Sequence, residues 1–213
     1  SHHTASPSDN LSPSVITASS PSDLRIPCSA LAAFCYLGDV ARRDQAAANL
    51  DRLANYLVLA DGSDREGSPW YAFYTLRLMN NLRPIYDRCG LPFDTINSAI
   101  LRSEQFLAAA VDPNFNLVMT GDTMRASLTP KWFAPGSEAR WAATKGTEGQ
   151  TPGQLFETFS GGYVFGRNSW TDIDGHRPGP ASVHECPISD DRLCGGHGAH
   201  PRVRQLDITS CHH

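Results

Sequence analysis

Residues 68–90, SPWYAFYTLRLMNNLRPIYDRCG, decide the fold class of this chain. Ser68 followed by Pro69 has the pattern of an N-cap and a first-turn proline, a position where the missing N–H is no loss. Behind it Tyr71, Tyr74, Leu78, Leu82 and Ile85 recur mostly at three- and four-residue spacing, which marks an amphipathic helix. Gly90 is a natural left-handed stop. Pro84 falls inside the predicted helix and is expected to kink it near Asn80, whose carbonyl loses its donor.

The same grammar holds on either side. Ser29 is read as the cap of a short apolar helix, Ala30 to Leu37, that stops at Gly38. Asp39 is placed to cap the next, in which Val40, Ala47, Leu50, Leu53, Ala54 and Leu57 form the apolar stripe. Asp94 is read as the cap of a fourth, with Ile96, Ala99, Ile100, Ser103, Phe106, Leu107 and Ala110 on one side and Pro113 as its end. Amphipathic helices joined by short loops make antiparallel hairpins, which stack as a bundle or a toroid; periodicity does not separate the two. No exact repeat occurs at solenoid periods.

Beyond the helices the texture changes twice. Asn114 to Thr158 is loop-rich, anchored by Trp132, Phe133 and Trp141, with a short helix expected from Ser137 to Lys145. Gly161-Gly-Tyr-Val-Phe-Gly-Arg167 reads as a strand entered through glycines. After Trp170, Gly, Pro, His, Arg and Cys dominate, six of the eight histidines lie there, and no strand or helix is legible. The chain divides into a loop or disordered segment at 1–28, a helical portion at 29–158, a first β-strand at 159–170 and an irregular tail at 171–213. The abrupt change after Trp170 is expected to reflect an out-of-frame or truncated reading, and the residues before Ser29 are open to the same account.

Bulk properties exclude some functions. At 213 residues a sizeable core is within reach, and 40% hydrophobic residues is ordinary for a globular protein. A net charge of −4 gives no basic field for nucleic acid, though a cleft on an acidic protein is free to be locally positive. No apolar run approaches the ~20 residues of a membrane span. Ser1 to Asn10 shows no basic segment followed by an apolar one, so no signal peptide is read there, and Ser1-His2-His3 has the look of a tag remnant. Among the six cysteines, Cys28 and Cys35 lie in or beside an apolar helical segment and are expected to be buried thiols.

The chemistry concentrates at Asp61-Gly-Ser-Asp-Arg-Glu-Gly-Ser-Pro-Trp-Tyr71. Arg65 and Glu66 stand in the loop before a helix whose first turn shows Trp70, Tyr71 and Tyr74. Flat aromatic faces pack on sugar C–H groups while adjacent charges bind hydroxyls and carboxylates. A tyrosine at a helix N-terminus, with an arginine beside it, is also placed for proton transfer. The plainer alternative is amphipathic packing behind a capped helix start.

Asp61-Gly62 with Glu66-Gly67-Ser68-Pro69-x-Tyr71 resembles the "DG…E-x-S-P-x-Y" segment of the heparinase II/III-like polysaccharide lyases, which include oligoalginate lyases. Thr120-Gly-Asp-Thr123, Trp141-Ala-Ala-Thr-Lys-Gly146 and Gly161-Gly-Tyr-Val-Phe-Gly-Arg-Asn-Ser-Trp170 are similar to further family stretches, in the same order. The resemblance covers roughly residues 29–170. It implies a mainly α fold: an incomplete (α/α) toroid of helix hairpins, followed by the start of a β-sandwich. It further implies β-elimination on a uronic-acid-containing polysaccharide or oligosaccharide, a secreted or periplasmic location, and no cofactor, resident metal, nucleic acid or membrane partner. Tyr71 matches the tyrosine that takes part in proton transfer, with Arg65, Glu66, Trp70, Tyr74, Asp122 and Arg167 expected to meet the anionic substrate.

Two other functions stay open. The Asn or His that relatives carry on an earlier helix would fall near Thr17-Ala18, where no Asn–His pair stands; this favours a non-catalytic carbohydrate-binding fragment. His184-x-Cys186 with Cys194-x-x-His197-x-x-His200 offers zinc-type ligands, which favours a small zinc-binding protein. Asp122 is also open to an Asx-turn, and Arg167 to pairing at a domain junction.

Overall fold

Asp39 accepts the Arg42 N–H at 3.1 Å, so the second helix starts where its sequence says. The computed structural model describes residues 25–170 and 181–185. Four long helices dominate: α1 (Arg25–Leu37), α2 (Val40–Leu57), α3 (Pro69–Cys89) and α4 (Asp94–Ala109). A 3₁₀ turn at Pro130–Trp132 and the short α5 (Glu138–Ala143) follow, then β1 (Phe156–Phe159), β2 (Tyr163–Arg167) and β3 (Ala181–Glu185). The fold is mainly helical, and no described helix is long and apolar enough to cross a membrane.

Each tight connection makes a hairpin, α1 with α2 and α3 with α4, and the two pairs lie side by side through α1–α3 and α2–α4 contacts. Leu31, Leu50, Leu57, Leu76, Met79, Leu82, Ile96 and Phe106 are fully buried between them. Tyr86 is buried too; its hydroxyl donates to Ala47 O at 3.3 Å and its ring meets Phe93 edge-on. The α2 and α4 stripes lie as their spacing predicts, apart from the exposed Val40. On α3 the buried face is Phe73, Leu76, Met79, Leu82 and Tyr86 instead of the predicted Tyr71-Tyr74-Leu78-Leu82-Ile85 line. Two interleaved stripes compete on this aromatic-rich helix, and the wider one wins the core. Tyr71 and Tyr74 are consequently only half-buried.

Several local expectations are corrected. Helix α1 begins at Arg25, not Ala30, with Pro27 tolerated in its first turn. Asp94 is the first residue of α4, and Phe93 occupies the cap position. Helix α3 runs through Pro84 to Cys89, where Gly90 takes the left-handed conformation at φ 66°. Cys35 is not a thiol: it forms a disulfide with Cys89 that ties the end of α1 to the end of α3 across 54 residues. Nothing in that spacing reveals the pairing, because it depends on the two hairpins lying side by side. Cys28 does keep its thiol, and burial pushes it up to about 11.

The strands form an antiparallel sheet in the order β1-β2-β3, with Phe156 opposite Gly166 and Val164 opposite His184. Neither β1 nor β3 was expected. Both are of five residues or fewer, too short for alternation to stand out. β3 places a strand within the stretch read as irregular; the remainder of that stretch lies outside the described residues. The sheet seats on α4 through Phe106, whose ring meets Phe159, Tyr163 and Phe165 at 5.1, 5.1 and 5.9 Å.

Candidate functional site

The loop from Val58 to Ser68 links the two hairpins and presents the start of α3. It folds back on itself through an antiparallel bridge between Val58 and Asp64 and through the Leu59 N–H on Ser63 O at 2.9 Å. Gly62 has φ 87°, and a Cβ there would stand 1.9 Å from Arg102 O, so this corner admits only glycine. Arg102 of α4 fixes the corner by donating to Leu59 O at 3.3 Å.

Two polar contacts join this loop to the sheet. Asp61 accepts from Ser63 N at 3.1 Å and Ser63 Oγ at 2.6 Å, and its other oxygen accepts the Ser160 N–H in the β1–β2 turn. Gly161 N donates to Ser63 Oγ at 3.0 Å. Burial alone would raise the Asp61 carboxyl, but the hydrogen bonds from Ser160 and Ser63 outweigh it and hold the group below its ordinary range. A Cβ on Gly161 would meet Ser63 Oγ at 2.9 Å, so the turn approaches the loop as closely as a backbone can.

Asp64 sits behind them, 2% exposed. Its Oδ2 accepts the Glu66 N–H at 3.1 Å, while Oδ1 is buried without a hydrogen-bond partner. Burial first, then the Glu66 charge, raises its carboxyl to about 7 against the lowering pull of backbone N–H groups. No spacing in the sequence distinguishes Asp64 from the other carboxylates of the loop.

The start of α3 is capped from elsewhere in the chain. Ser68 occupies the cap position yet makes no capping bond; its Oγ lies 2.9 Å from Thr123 Oγ1, and Thr123 Oγ1 accepts the Trp70 N–H at 3.4 Å. Gly121 packs so closely on Gly67 that a Cβ would stand 2.4 Å from Gly67 O. The Thr120–Thr123 turn thus takes the role expected of Ser68. Asp122 at its tip is exposed; the turn closes through the Thr123 N–H on Thr120 O at 3.1 Å, and Asp122 makes no Asx bond among the described residues.

The predicted site residues separate into three groups. Trp70, Tyr71 and Tyr74 stand together on the first turns of α3, half-buried, with the Trp70 ring edge-on to Phe73 at 6.2 Å. Glu66 and Asp122 lie on the two loops that meet at the helix start. Arg65 turns away: its Nε donates to Tyr56 O at 2.8 Å and its guanidinium lies over the Tyr56 ring at 4.5 Å. Arg167 is 9% exposed, inside the helix–sheet junction, where Nη2 donates to Ala109 O at 2.6 Å and Val111 O at 2.5 Å. Its guanidinium covers Trp170 at 3.9 Å, and burial lowers it to about 10, opposed by Asp112 and Glu157.

Reading the sequence for function missed a second cluster on α3. Arg77 lies over Phe73 at 5.7 Å and over Trp132 at 5.6 Å, and Lys131 Nζ lies over Trp132 at 4.9 Å. Arg77 falls seven residues after Trp70, two helical turns on the same face, so helical spacing carried the signal. No group of three metal-ligating side chains occurs among the described residues. Of the terminal Cys/His cluster, only the backbone of His184 is among them, opposite Val164 on β2.

No protein-family model matches the chain, and no curated protein matches it. The solved structure of a heparinase III gene product is similar with a TM-score of 0.54, at 22% identity, over 70% of this chain and 26% of that one. A methylated-lysine form of the same gene product aligns with a TM-score of 0.48, at 22% identity, over 68% and 27%. The chain therefore spans about a quarter of the length of that structure. At this identity the likeness is one of fold.

Proposed function

We propose that this chain is part of a polysaccharide-lyase-like protein acting by β-elimination on uronic-acid-containing chains, and that its helices belong to an (α/α) toroid followed by a β-sandwich. The observation that carries the reading is convergence in space. Four stretches that resemble family motifs, scattered over residues 61–170, all touch. Asp61 and Ser63 hold the turn at Ser160-Gly161, Ser68 and Gly67 pack on Thr123 and Gly121, and Trp141 meets Trp170 edge-on at 5.8 Å. Packing alone does not require those particular segments to meet one another.

In this reading the substrate lies across the start of α3. The C5 proton of a uronate is weakly acidic, so its carboxylate must be neutralised by hydrogen bonds or positive charge before a base removes it. Tyr71 takes the C5 proton, the C5–H electrons form the C4=C5 double bond as the C4–O4 bond breaks, and the proton passes from Tyr71 to the departing O4. Trp70 and Tyr74 supply aromatic surface, and Glu66 and Asp122 supply acceptors for sugar hydroxyls. Arg65, held on Tyr56, binds at the margin; Arg167 is assigned to holding the sheet on α4. Secretion to where such polymers occur fits this activity. Elimination leaves a 4,5-unsaturated uronate that absorbs in the ultraviolet. Incubation of the full chain with alginate, heparan sulfate and hyaluronan should raise the absorbance on at least one; no rise on any overturns the reading.

A second reading has two specific observations behind it. No histidine is present among residues 25–170, and Arg65 is committed to Tyr56 and not to Tyr71. Glycan binding without turnover, unchanged in Tyr71→Phe, is the signature of a non-catalytic carbohydrate-binding fragment.

A further inference from the structure

We infer that Arg77 and Lys131, mounted on Phe73 and Trp132, form a subsite for an anionic sugar unit, one to two helical turns along α3 from the first-turn tyrosine. The inference rests on the lyase-like reading and adds to it a named binding position.

Arg77 is half-buried, yet it makes no hydrogen bond or ion pair among the described residues, and its Nε is buried with no acceptor. A cation partly removed from water needs compensation. Two aromatic faces give some of it, at 5.7 and 5.6 Å, but neutralise none of the charge. Lys131 adds a second cation 4.9 Å from the same Trp132 ring, and it too has no acidic partner among the described residues. By contrast, Arg43 and Arg140 close ion pairs at 2.7 Å. Two cations held over one indole, on a chain of net charge −4, make a local positive spot on an acidic protein.

The spot is also fixed in place. Trp132 closes the 3₁₀ turn, whose Pro130 carbonyl accepts from Arg140 Nη1 at 2.7 Å. Phe73 is buried, stacked on Phe133 at 5.9 Å and touched by Trp70. A line of ring and cation contacts therefore runs from Trp70 through Phe73 and Arg77 to Trp132 and Lys131. Arg77 lies on the same face as Trp70, about 10 Å farther along the helix axis at 1.5 Å per residue. That separation suits an oligosaccharide that packs one unit on Trp70, beside the tyrosine, and reaches Arg77 with another. A planar guanidinium takes a sugar carboxylate or sulfate in two-point fashion, and the lysine adds a point charge.

The test is binding of size-defined alginate oligosaccharides, which carry carboxylates only, and heparin oligosaccharides, which also carry sulfates. A cello-oligosaccharide of matched length is the neutral control. Titrations by calorimetry would compare the full chain with Arg77→Gln, Lys131→Gln and, as a control for net charge, Arg88→Gln at the far end of α3. Lys131 is exposed, so its variant folds even where Arg77→Gln does not. The subsite predicts a loss of about three- to tenfold in affinity for an anionic oligosaccharide in each of the first two variants, a shallower salt dependence, and no loss in Arg88→Gln. Unequal losses on the two ligands identify which acid the subsite reads. Wild-type binding that Arg77→Gln and Lys131→Gln leave at the level of Arg88→Gln overturns the subsite while leaving the lyase-like reading standing. No binding of either anionic ligand overturns both.

Discussion

Ser68 Oγ and Thr123 Oγ1 stand 2.9 Å apart in the interior, 55 residues apart in sequence. Since Thr123 also accepts the Trp70 N–H, the first turn of the helix that carries Tyr71 is held by a loop that follows the second hairpin.

Thr123→Val keeps the shape and removes the hydroxyl. It should leave the Ser68 hydroxyl buried with a lost partner and the helix uncapped, at a cost of about 1–3 kcal/mol. Thr123→Ser should stay within a few tenths of a kcal/mol of that hydrogen-bonding energy. Denaturant midpoints and hydrogen exchange at the Trp70 amide measure both. A Thr123→Val protein with wild-type stability and exchange contradicts the cap.

A second prediction concerns pH. The Asp64 carboxyl is raised from 3.8 in the unfolded chain to about 7, so the folded state holds its proton more tightly. Its contribution to stability is complete below the unfolded value and declines as pH climbs through the folded one. Asp64→Asn, neutral at every pH, should therefore gain on the wild type between pH 4 and pH 8, by at most about 4 kcal/mol. A stability difference that stays flat over this range contradicts the assignment.

The Cys35–Cys89 bridge closes a 54-residue separation. Replacing both with Ser should lower stability by about 2–4 kcal/mol, mostly through the entropy returned to the unfolded chain. Thermal unfolding of the double variant measures it. An unchanged midpoint means that the ends of α1 and α3 gain nothing from the link.

What the sequence showed and hid follows from the range of each interaction. Asp39, Gly90 and the α4 stripe act within a turn or two, so spacing alone located them. The α3 face was misread because Tyr71-Tyr74-Leu78 and Phe73-Leu76-Met79 are both helical stripes, and only the neighbouring hairpin chooses between them. Trp70, Tyr71 and Tyr74 lie together on the first turns of α3 because helical spacing is local. Arg65 and Arg167 were found as residues, but their partners, Tyr56 O and the Ala109 and Val111 carbonyls, are tertiary. The Cys35–Cys89 bond, the Thr123 cap and the burial of Asp64 all depend on contacts made only once the chain has folded. The meeting of the four stretches is of the same kind: order along the chain suggested them, and only the fold brings them together.

The central claim rests on Tyr71, and comparing wild type with Tyr71→Phe on one uronate polymer tests it most directly. Ultraviolet absorbance follows unsaturated product, and a titration with the same polymer follows binding. The account predicts turnover in the wild type and a loss of about 10²- to 10⁴-fold in Tyr71→Phe, with affinity nearly unchanged, because only the proton-transferring hydroxyl is gone. Turnover in Tyr71→Phe at the wild-type rate, or binding without product in the wild type, would contradict it.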